Sequence, residues 1–88
     1  MQQARLKSKK YTIVANELVT IESRTLRAII ADTGSLRVMY AGGTPAQATV
    51  LSEGFQLANG AMFQIDGVHH DGTVHITSTA GATFHTIT

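Results

Sequence analysis

Eighty-eight residues without a cysteine make a chain near the lower limit at which a domain can bury a sufficient core, and they exclude disulfides as a supplement, leaving a metal or association with other chains. Charged residues are 15% of the chain against about 25% in a typical soluble domain, so part of a surface that is large for its volume is expected to be covered. The net charge of +1 conceals an asymmetry: four of the seven basic residues, Arg5, Lys7, Lys9 and Lys10, lie in the first ten positions without an acid, and the remainder carries three basic residues against all six acids.

The opening MQQARLKSKK reads as a short basic arm, residues 1–10, ahead of a single domain, residues 11–88. It has no apolar stripe to hold it to the body, and its charge suits solubility or docking to a protein surface ahead of nucleic acid. It also lacks the apolar segment of a secretory signal, and no apolar run in the chain approaches the ~18 residues of a membrane span. The chain is therefore expected to stay where it is made.

From Tyr11 onward the composition is that of strands. Twelve threonines, seven isoleucines and six valines make 25 β-branched residues, which favour pleated surfaces, while runs of good helix formers are missing. Punctuation at NE, DTGS, AGGTP, SEG, ANG, DGVHHDG and STAG divides the chain into short runs of ordinary strand length. The spacing predicts strands at Tyr11–Ala15, Leu18–Glu22, Leu26–Ala31, Leu36–Tyr40, Ala46–Leu51, Ala61–Ile65, Thr73–Thr77 and Ala82–Ile87. Regular turns of this kind imply an all-β domain, a small antiparallel β-sandwich or partly open barrel.

The glycines of IIADTGSLRVMYAGGTPAQ do not make a phosphate loop. Gly34, Gly42 and Gly43 have neither the G-x-G-x-x-G nor the G-x-x-x-x-G-K-[ST] spacing. The stretch reads instead as a hairpin: Leu26, Ala28 and Ile30 on the core face of one strand, Leu36, Val38 and Tyr40 on that of the next, with Asp32 opening the turn and Gly34 taking φ > 0. Pro45 ends the second strand because it cannot donate to a ladder. On this reading Arg27, Ile29, Arg37 and Met39 point away from the core. Arginines flanking an isoleucine and a methionine have the composition of a protein interface; the alternative is that both faces are internal, with the arginine heads reaching solvent.

No catalytic constellation emerges. There is no G-x-S-x-G elbow, the six acids include no evident pair, and Asp66 and Asp71 flank glycines in what reads as a loop tip. His69, His70, His75 and His85 all fall in the last twenty residues and are the nearest approach to a ligand cluster. His75 and His85 alternate away from apolar neighbours, so the histidines read as surface or interface residues, with no metal or other cofactor. A metal site assembled from one histidine per subunit stays open.

From Tyr11 to the end, the early strand pair, the hairpin in IADTGSLRVMYAGG, the mid-chain LSEGFQLANGAMFQI and the threonine-rich GTVHITSTAGATFHTIT resemble the small β-sandwich proteins that tailed bacteriophages and related viruses carry on their particles. The resemblance implies a non-enzymatic structural protein of the virion, of the capsid decoration, cement or head-tail adaptor type, assembled in the host cytoplasm. Its partners would be protein chains, itself and other virion components, as a homo-oligomer, without nucleic acid or membrane. The resemblance does not extend to the arm and carries over no residues; from charge and strand phase, the expected docking residues are Arg5, Lys7, Lys9 and Lys10 of the arm with Arg27, Ile29, Arg37 and Met39 of the body. The alternative is a carbohydrate or cell-surface binding module of a fibre or spike. The absence of tryptophan and a total of five aromatics argue against it, since Phe55, Phe63 and Phe84 are wanted for the core.

Overall fold

In a computed structural model that describes residues 7–22, 26–40, 43–64 and 73–88, the β-branched runs form eight strands and one short helix. In chain order these are β1 (Ser8–Ile13), β2 (Leu18–Glu22), β3 (Ala28–Thr33), β4 (Leu36–Tyr40), α1 (Gln47–Glu53), β5 (Phe55–Leu57), β6 (Met62–Gln64), β7 (Thr73–Thr77) and β8 (Ala82–Ile87). They make two four-stranded antiparallel sheets packed as a sandwich: sheet A in the order β1-β8-β3-β6 and sheet B in the order β2-β7-β4-β5. The structure is not a closed barrel.

The two strand orders correspond position by position. β1 stands over β2, β8 over β7, β3 over β4 and β6 over β5, and each such couple is consecutive in sequence. Four times, therefore, the chain runs up one sheet, turns over the edge and runs down the other. Because neighbours within each sheet are antiparallel, all four turns fall at the same end. Each carries a residue with positive φ: Asn16 at 64°, Gly34 at 80°, Gly60 at 81° and Gly81 at 88°. The turns touch in a row. Asn16 N–H donates to the Ser78 carbonyl at 2.8 Å, and Gly60 N–H to the Ala31 carbonyl at 2.9 Å.

This topology corrects the expected hairpin. β3 and β4 do not pair; β3 lies between β8 and β6, and β4 between β7 and β5. Gly34 takes the positive φ expected of it, but turns the chain between sheets. Just before it the β3–β8 register shifts between Ala31 and Thr33. This bulge bends the strand toward the turn, and the hydroxyls of Thr33 and Thr83 hydrogen-bond across it.

The core lies between the sheets. Ile13, Ile29, Ala31, Ala82 and Phe84 come from sheet A, and Ile21, Leu36, Val38, Leu57, Val74 and Ile76 from sheet B, with Leu26 closing it ahead of β3. At one flank the Tyr11 and Phe84 rings stack at 4.9 Å; at the other, Phe63 meets Phe55 at 4.7 Å and Tyr40 at 6.2 Å. Burial pushes the Tyr40 phenol above the usual tyrosine range.

The run expected as a strand at Ala46–Leu51 is the helix α1. Ala46 at its N-terminal boundary is extended, at φ −69° and ψ 153°, and offers no side-chain cap, and Gly54 N–H closes the last turn onto the Val50 carbonyl. The helix packs against β4 and β7, burying Val50 completely. Gln47 reaches from it to the Thr77 hydroxyl at 3.2 Å. β7 is consequently covered on both sides: Val74 and Ile76 face the core, while His75 and Thr77 on the opposite face are also fully buried.

Candidate interaction site

The two outer faces of the sandwich differ. On sheet B the outward residues of the central strands are Arg37 and Met39 of β4 and His75 and Thr77 of β7, placed by the registers Arg37↔Thr77 and Met39↔His75. All are half-buried or buried, because α1 lies against these two strands. The Arg37 guanidinium donates to the Gly54 carbonyl at 3.3 Å, holding the strand to the end of the helix. His75 Nδ1 lies 3.0 Å from the Thr20 hydroxyl, and the Thr77 hydroxyl donates to the Glu17 carbonyl at 2.7 Å.

Sheet A has no such cover: among the described residues no element lies over its outer face. The registers Lys10↔His85, Ile30↔His85 and Ile30↔Met62 set one row across all four strands. The next row runs Ser8, Ile87, Ala28 and Gln64. Ile30, Ile87 and His85 are half-buried and Met62 is 55% exposed. An apolar centre of Ile30, Met62 and Ile87 is thus rimmed by Lys10, Thr12, Thr33 and Gln64, all exposed.

The residues expected to dock partners do not share one face. Ile29 is fully buried in the core, which removes the premise of an outward Ile29–Met39 patch. The phase fails because RAIIAD is apolar at both alternating positions; Leu26 does reach the core, but the chain changes phase before β3, so that Ile29 and Ala31, not Ala28 and Ile30, face inward. Met39 and Arg37 belong to the helix-covered face of sheet B. Arg27 is exposed just ahead of β3, its N–H donating to the Ile87 carbonyl at 2.7 Å. Lys9 and Lys10, assigned to the arm, stand in β1, and Lys7 precedes it, exchanging hydrogen bonds with Thr88 at 2.9 and 2.8 Å. Arg5 lies outside the described residues.

His75 is fully buried, contrary to its expected place on the surface, while His85 stays on the outer face of sheet A. His69 and His70 lie outside the described residues, as do Asp66 and Asp71. Among the described residues no group of three or more histidines and acids could hold a metal ion, and no helix is long and apolar enough to cross a membrane.

A cleft of about 470 Å³ opens at the flank where the edge strands β1 and β2 face each other across the sandwich. Lys7, Ser8, Lys9, Tyr11, Thr20 and Thr86 are among the residues that line it. The Lys9 ammonium lies 5.0 Å from the centre of the Tyr11 ring. Sequence reasoning missed this site because it placed these lysines on an arm; the signal was the alternation of Lys7, Lys9, Tyr11 and Ile13 on one strand face. Compared with protein-family models, curated proteins and solved structures, the chain matches none.

Proposed function

We propose that this chain is a non-enzymatic assembly protein that binds other protein chains, including its own copies, through the outer face of sheet A. The observation that carries this reading is the contrast between the two sheets: α1 covers β4 and β7 of sheet B, while among the described residues no element covers Ile30, Met62 and Ile87 of sheet A. An apolar centre within a polar rim is the anatomy of a protein–protein interface. The low share of charge points the same way, since a small domain with few charges is solvated poorly unless part of it is covered. The resemblance to phage virion sandwiches narrows the reading to a decoration, cement or adaptor protein of a virus particle. A carbohydrate module is less well supported, because the chain has no tryptophan and only five aromatics, of which Phe84 is fully buried and Phe63 packs against Tyr40 and Phe55.

A photoreactive side chain placed at Met62, and separately at Ala48 on the exposed side of α1, tests the reading in the assembled state. Cross-links to defined protein chains from position 62, and none from position 48, are expected. Equal labelling from both positions would overturn it.

A further inference from the structure

The β1 flank combines three features. β1 is an edge strand of six residues, whereas the edge strands at the opposite flank, β5 and β6, have three each. Lys7 exchanges both backbone hydrogen bonds with Thr88, so in the alternating antiparallel ladder Lys9 and Tyr11 are likewise bonded to β8. The N–H and C=O groups of Ser8, Lys10 and Thr12 then point away from the sheet. Finally, the side chains on the inner side of the strand are charged where a core strand would be apolar: Lys7 and Lys9 line the cleft between β1 and β2.

Inward lysines on an edge strand discourage pairing with a like strand. A second copy of β1 would bring lysine against lysine. An acidic strand reverses the sign of that effect. We propose that the β1 edge receives an extended acidic segment of a partner protein as an added strand, with carboxylates at positions i and i+2 entering the cleft beside Lys7 and Lys9. In antiparallel register the residues opposite Lys7 and Lys9 lie two apart and present their side chains on the cleft side, while the residues opposite Ser8 and Lys10 face outward. The Ser8, Thr20 and Thr86 hydroxyls supply further donors around the carboxylates, and backbone pairing supplies the rest of the affinity. This inference rests on the reading of the chain as a protein-binding assembly module, and names the chemistry of one of its partners.

The test uses the full chain and a fluorescent octapeptide alternating glutamate with valine. Its controls are the glutamine–valine counterpart, a glutamate–valine peptide N-methylated at the amides that would face β1, and a single-stranded oligonucleotide of equal charge. Binding of the glutamate peptide is expected to slow amide exchange at Ser8, Lys10 and Thr12 and leave Lys9 and Tyr11 unchanged, because the latter pair is already bonded to β8. The glutamine and N-methylated peptides, and the double variant Lys7→Gln with Lys9→Gln, are expected to bind about tenfold more weakly or worse, as loss of charge-assisted contacts requires. Equal binding of the N-methylated peptide would reduce the site to unspecific charge attraction and overturn strand addition. Protection of the three amides by the oligonucleotide, or in the free protein as its concentration rises, would overturn the acidic peptide in favour of nucleic acid or a second copy. Failure here with cross-linking retained at Met62 would remove this inference and leave the assembly reading in place.

Discussion

Gly34 combines a left-handed backbone with a close approach to a neighbouring turn. Its φ is +80°, and a Cβ built there would stand 2.7 Å from the Gly81 carbonyl oxygen of the adjoining turn. Gly60 has nearly the same φ, +81°, but a Cβ there meets nothing within 4 Å. The two glycines therefore separate two costs that usually come together. Gly60→Ala carries only the left-handed backbone penalty, about 1 kcal/mol; Gly34→Ala adds a clash between two backbones that cannot both hold their turns, for a total of about 3 kcal/mol. Urea unfolding of both variants measures the difference. Equal losses would mean that the row of turns is not tightly packed.

At the scale of elements, much of the strand pattern was legible. β2, β4, β7 and β8 carry the bounds expected from the runs between turn residues, because in each the flanking Gly, Pro, Asn or Ser marks the end of extended chain. Pairing was not legible. The alternation in LRVMY correctly sends Leu36, Val38 and Tyr40 to the core, yet nothing local says whether β4 pairs with β3 in one sheet or faces it across the sandwich; a short turn with one positive φ serves either geometry. The helix was missed for a different reason. In QATVLSE the β-branched Thr49 and Val50 suggest strand, while Gln47, Val50 and Gly54, the residues turned toward sheet B, follow the period of a helix, and seven residues are too few for that period to stand out. The buried His75 follows from the same omission, since the face it occupies is covered only once the helix is known. Val50→Ala tests the cover: removing two methyl groups from a fully buried site is expected to lower unfolding free energy by about 2 kcal/mol. A loss below about 0.5 kcal/mol, the range of surface substitutions, would mean that α1 is not anchored to β4 and β7.

Among the described residues, the sandwich has one outer face covered by its own helix and one that no element covers, and a lysine-lined flank at one side. Short β5 and β6 leave little backbone for further pairing at the opposite flank, so growth of the assembly is expected over the face of sheet A and along β1. The candidate site was only half legible: the basic residues near the start and the shortage of charge pointed to partners, but the face assigned from Ile29 and Met39 depended on a strand phase that the apolar run RAIIAD leaves undecided. Lys9 and Lys10 belong to β1 and not to an arm. Deleting residues 1–10 would take half of β1 with it, so it does not isolate the role of the arm.

The most direct test of assembly through sheet A is sedimentation velocity of the wild-type chain and of Met62→Lys across the micromolar to millimolar range. Lysine on the outward side of a short edge strand is compatible with the isolated sandwich, so both proteins should share a thermal midpoint. The wild type is expected to sediment above its monomer mass of 9.4 kDa as concentration rises, and Met62→Lys to remain monomeric. A wild-type chain that stays monomeric and soluble throughout, or a Met62→Lys chain that associates equally well, would contradict it.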